Sequence, residues 1–100
     1  MSTTQQTKGP ARPFRMPIDG VRSVKGRGTL VSGTIQQGAV RAGDPVEIVG
    51  GGSTARPSVV IRVERSGAVV DRAKAGESIS VLLRGVAAED VARNELLQAR

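Results

Sequence analysis

One hundred residues, 38% of them hydrophobic, supply one small core and no second one. Fifteen Lys and Arg against nine Asp and Glu leave a formal charge of +6, a balance that suits an anionic partner such as RNA or a ribosomal surface without requiring one. Histidine and cysteine are both absent, which excludes disulfides, thiolate nucleophiles, Cys/His zinc sites and every His-based triad. Phe14 is the only aromatic residue, so the stacked platform on which many RNA-binding sheets lay bases is missing. Twelve of the fifteen basic residues are arginine, a preference that phosphate recognition and GC-rich coding explain equally well. No apolar run approaches the roughly 20 residues of a membrane span, and the first residues lack the apolar core of a secretion signal. The expectation is a cytoplasmic chain with neither membrane nor DNA as a partner.

Met1 to Arg12 hold almost nothing to bury and read as a disordered arm or linker, with the fold expected over residues 13–100. From Pro13 onward, β-branched residues gather in short alternating runs broken every eight to twelve residues by glycine-containing turns, the rhythm of an all-β barrel or sandwich. In chain order the expected strands are Arg15 to Ile18, Thr29 to Gln36, Pro45 to Val49, Ser58 to Arg65, Ala68 to Val70, Ser78 to Leu83 and Glu95 to Gln98. Gln37-Gly38, Ala42-Gly43-Asp44, Ser66-Gly67 and Ala75-Gly76-Glu77 supply the turns between them. Gly50 to Pro57 reads as a flexible surface loop, and Ala88 to Val91 as a single helical turn before the last strand.

Alternation then sorts the faces. Val59, Ile61 and Val63 are expected inward with Ile79, Val81, Leu83, Val31 and Ile35. The opposite face receives Leu30, Ser32, Thr34, Val60, Arg62, Glu64, Ser80, Leu82 and Arg84. Leu30 and Leu82 are apolar on this otherwise wet face. With Glu64 nearby they would make a small greasy depression beside a carboxylate, able to hold a flat ring, unless the tail or Val24 covers them.

Four stretches in order carry a resemblance. Residues 13–21 (Pro-Phe-Arg-Met-Pro-Ile-Asp-Gly-Val), 26–33 (Gly-Arg-Gly-Thr-Leu-Val-Ser-Gly), 43–50 (Gly-Asp-Pro-Val-Glu-Ile-Val-Gly) and 75–86 (Ala-Gly-Glu-Ser-Ile-Ser-Val-Leu-Leu-Arg-Gly-Val) resemble domain 2 of elongation factor Tu, over about Arg12 to Gln98. The resemblance implies a closed antiparallel β-barrel of six to seven strands, the domain shared by translational GTPases. It also implies a surface pocket for the 3′-terminal adenosine of aminoacyl-tRNA. In this chain that pocket would place Glu64 against the base and Val24, Leu30 and Leu82 around it, with Asp19, Gly26, Arg27, Gly28, Thr29 and Ser32 close by. Arg22 stands where the family usually has an aromatic residue, Asn94 where it has glycine, and Gly20 where it has a carboxylate.

The family domain normally follows a GTP-binding domain, but this sequence contains no phosphate-binding Gly-x-x-x-x-Gly-Lys-Ser/Thr loop, so GTP hydrolysis is not expected of it. Glu89-Asp90 are adjacent carboxylates on a turn, and Asp44, Asp71 and Glu77 lack metal-ligand spacing; neither catalysis, nor a metal, nor a cofactor is expected. Two functional readings follow. One is a non-catalytic module for the 3′ end of (aminoacyl-)tRNA or another RNA. The other is a protein-interaction module that docks on a translational GTPase or ribosomal protein, or self-associates, without binding nucleotide. A third expectation is a fragment of a larger factor with no separate role.

Overall fold

The computed structural model describes residues 12–50 and 55–100. Residues 1–11 of the arm expected over Met1 to Arg12, and residues 51–54 at the glycine-rich centre of the expected loop, lie outside the described residues. Among the described residues ten strands follow in chain order: β1 (Arg15–Pro17), β2 (Gly20–Val24), β3 (Gly28–Thr34), β4 (Ala39–Arg41), β5 (Pro45–Val49), β6 (Arg56–Arg65), β7 (Ala68–Val70), β8 (Arg72–Lys74), β9 (Ser78–Leu83) and β10 (Leu96–Ala99). A 3-10 turn at Ala88–Asp90 precedes the last of them. The expected strands are all present within a few residues of their expected bounds. Arg56 and Pro57, assigned to a loop from sequence, begin β6 instead. Strands β2, β4 and β8 lie outside the expected set; β4 and β8 are three-residue runs such as Arg72-Ala73-Lys74, which have no periodicity to read.

All pairings are antiparallel, and the main sheet runs β1-β10-β5-β6-β9-β3-β2 with β7 hanging on β6. These seven strands curl strongly on themselves. The curl is drawn shut where β1 meets the continuation of β3: Gln36 N–H donates to Arg15 O at 2.9 Å, and Arg15 N–H donates to Gln37 O at 3.1 Å. Nearby, a Cβ at Gly33 would lie 2.2 Å from Pro17 O, so only glycine lets β3 pass β1 this closely.

Met16, Val31, Ile48, Val63, Val81, Leu83 and Leu97 fill the interior with no exposed surface. Fully burying such side chains is worth about 1.5–3 kcal/mol each, which is what holds a sheet of this size curled. β6 is the longest strand because it serves two neighbours, pairing with β5 through Arg56–Val59 and with β9 from Val60 onward. A register shift between Val60 and Arg62 breaks its alternation. Ser58 and Val60 point inward before the shift and Val63 after it, while Ile61 is turned out at 40% exposure. The expected inward set of Val59, Ile61 and Val63 is therefore corrected to Val60 and Val63: one extra residue in the strand inverts the parity on which the expectation rested.

The 3-10 turn is tied back to the sheet by Arg56. Its guanidinium donates to Asp90 O and pairs with Glu95 Oε2 at 2.6 Å, while Glu95 Oε1 accepts the Ala92 N–H at 2.8 Å.

Candidate functional site

The antiparallel register of β2, β3, β9 and β6 lays outward side chains in rows. One row is Arg22, Leu30, Leu82 and Arg62, and the next is Gly20, Ser32, Ser80 and Glu64. Side chains opposite one another in a ladder stand about 4.5–5.5 Å apart at Cβ, so each row is a line of direct neighbours. An open groove of about 430 Å³ lies over these rows, with Asp19, Leu30, Ser32, Ser80 and Glu64 among its walls. A second depression, of about 370 Å³, adjoins it across Arg22 and Leu30 and brings in Arg93.

Glu64 is half-buried and does not stand alone. Arg62, two residues earlier on the same face, brings its Nε within 2.7 Å of Glu64 Oε2. The angles make this a contact between charges rather than an aligned N–H···O bond. It engages one carboxylate oxygen, and a carboxylate can accept further donors on the other. Across the groove the Ser32 hydroxyl donates to Asp19 Oδ1 at 3.3 Å, a weak bond that an incoming polar group could replace.

The residues expected around a nucleotide fall into four groups. Asp19, Leu30, Ser32 and Glu64 come together on the groove. Leu82 belongs to the same row but is only 1% exposed and does not line it. Its neighbours across the ladder are Leu30 on one side and Arg62 on the other, whose aliphatic stem is suited to covering an apolar side chain. Val24, Gly26, Arg27 and Gly28 form the β2–β3 turn, where Arg27 N–H donates to Val24 O at 2.9 Å, and they do not line the groove. Thr29 is buried, and its hydroxyl donates to Val86 O, fastening β3 to the segment after β9.

Sequence reasoning left Arg62 and Ser80 out of the site, although both were placed on the outer face. The signal for Arg62 was present in the Arg-x-Glu spacing, since i and i+2 of a strand share a face. Ser80 becomes a wall only through the β3–β9 and β6–β9 registers.

The described residues gather no set of three or more His, Cys, Asp or Glu able to hold a metal, and no helix among them is long and apolar enough to cross a membrane. Fold and groove together define a small all-antiparallel β-barrel module. A family model described as elongation factor Tu domain 2 matches residues 28–96, from the start of β3 into β10. The chain belongs to the elongation factor Tu domain 2 family, a domain typical of translation factors.

Proposed function

We propose that this barrel is a non-catalytic binding module for the 3′-terminal adenosine of (aminoacyl-)tRNA or a related RNA end, held in the groove between Leu30 and Glu64. The observation that carries the reading is the convergence of a half-buried carboxylate, an apolar side chain and two serine hydroxyls in one open groove. A purine buries its faces against aliphatic surface and offers amino and hydroxyl donors to a carboxylate, and family membership supports the choice of ligand. Arg22, in place of the usual aromatic, presents a guanidinium at the rim, where it can meet a phosphate or stack on a base.

Titrating a CCA-ended oligonucleotide into isotope-labelled protein tests this. Amide shifts are expected at Leu30, Ser32 and Glu64, and Glu64→Gln is expected to weaken them while leaving the remaining spectrum of the folded barrel in place. An unchanged spectrum at millimolar ligand would defeat the proposal. A second reading, a protein-docking module, draws support from Ile61 and Val69, which are exposed at 40% and 66%. It gains if sedimentation shows self-association that substituting these two residues abolishes.

A further inference from the structure

The remaining small sheet carries a feature that the fold does not require. Among the described residues β4 and β8 pair only with each other, three residues a side, with Arg41 opposite Arg72 and Ala39 opposite Lys74. Val40 and Ala73 turn inward at 1% exposure, so Ala39, Arg41, Arg72 and Lys74 share the outer face. Like charges directly opposite one another in a ladder are destabilising. A groove of about 500 Å³ runs beside this face, and Arg12, Arg72 and Lys74 line it with Gln36 and Gln37 and no carboxylate.

The acids around the sheet lie outside this groove. Asp44 Oδ2 accepts the Arg41 backbone N–H at 3.0 Å, and Asp44 shares a separate small depression with Arg41 and Arg72. Glu77 accepts the Lys74 backbone N–H at 2.7 Å and pairs with Arg65 at 2.5 Å. Asp71 is exposed at the bend before β8, outside the groove. None of the three ion pairs among the described residues includes Arg12, Arg41, Arg72 or Lys74. Arg12, Arg72 and Lys74 therefore meet on a groove with no carboxylate in its walls, and an anion lying in it would offset their mutual repulsion.

We propose that this face holds the phosphodiester backbone of a single-stranded RNA segment, at a site separate from the Leu30–Glu64 groove. Arg72 and Lys74 project from alternate positions of one strand, about 6.7 Å apart along it, a spacing of the order of that between successive phosphates. Arg12 adds a third charge on the same groove. No aromatic side chain is available for stacking, since Phe14 is buried, so recognition is by charge and tolerant of sequence. An extended acidic peptide is disfavoured because three-residue strands offer few edge groups for an added strand. The chain's own first eleven residues are no better an occupant, for they contain Lys8 and no acid.

The test is fluorescence anisotropy of the full chain with a labelled oligouridylate ending in a 3′-phosphate, which offers no terminal adenosine. Each neutralised phosphate contributes about −0.7 to the slope of log K against log salt for a single strand, so three contacts give roughly −2. Arg72→Ala with Lys74→Ala should bring that slope to roughly −0.7, whereas Arg84→Ala, which removes an exposed charge elsewhere, should leave it near −2. Melting curves establish that the variants are folded, and Lys74→Gln alone carries the test if the double variant is not. Absence of binding at low salt, or a slope that the substitutions at 72 and 74 do not change, overturns the proposal. So does a polyglutamate competitor that binds more tightly than the RNA.

Discussion

Leu82 separates two accounts of the outer face, and truncating it distinguishes them. As a pocket wall it would be partly wet, and Leu82→Ala would cost little stability while weakening nucleotide binding. At 1% exposure, between Leu30 and Arg62, it is packing instead. Removing about three buried carbons forfeits roughly 2.4 kcal/mol at about 0.8 kcal/mol per methylene, and the residual cavity brings the expected cost to about 3 kcal/mol. For a domain of this size each kcal/mol moves the melting temperature by about 4–8 °C, so a fall of roughly 12–24 °C is expected in a calorimetric or circular-dichroism melt. Leu30→Ala, made at a half-buried position on the same row, should cost about 1 kcal/mol or less. A Leu82→Ala protein that melts within a few degrees of the parent and loses nucleotide response would refute the packing argument and restore Leu82 as a wall.

Two further outcomes follow from single residues. Gly28 has φ +143°, and a Cβ there would lie 2.2 Å from Leu83 O. Gly28→Ala must therefore push apart β3 and β9 and should cost roughly 2 kcal/mol or more, read as a lower midpoint in urea, whereas Gly26→Ala, with open space around its Cβ, should cost only about 1–2 kcal/mol. The Glu77 carboxyl is held below its ordinary value of 4.5, first by the hydrogen bond from the Lys74 backbone N–H; desolvation, next in size, opposes this, and the charge and hydrogen bond of Arg65 and the charge of Lys74 add to the lowering. A depressed folded-state pKa stabilises above the ordinary value, and that contribution is lost as pH falls from 4.5 through the folded value. Glu77→Gln should accordingly melt closer to the parent below pH 4.5 than at pH 7, a convergence that melts at both pH values would detect.

The legibility of the fold tracked the range of the interactions involved. Pro45–Val49, Ala68–Val70 and Ser78–Leu83 have the bounds expected from alternation and flanking turns, because the pleat and the turn are properties of a few consecutive residues. Around Ile61 the same rule failed. Nothing in Ser-Val-Val-Ile-Arg-Val marks the shift between Val60 and Arg62, which arises because one strand must pair with β5 at one end and β9 at the other. The groove divides in the same way. Leu30 and Leu82 were recognisable as apolar residues on a polar face, yet one is half-exposed and the other sealed, a difference set by what stands beside each in the ladder.

The amino-acid order alone determined that this chain is all-β, that histidine and cysteine chemistry is closed to it, and which family its ordered motifs resemble. Each of these depends on composition or on short-range pattern. Only the folded sheet decided that Glu64 stands opposite Ser80, that Thr29 is a fastener, and that Arg41 stands opposite Arg72. Those relations join residues as far as 57 positions apart, and their geometry is created by strand register and closure of the curl. Register is a collective outcome of burying one face of every strand at once, so no local stretch of the chain contains it.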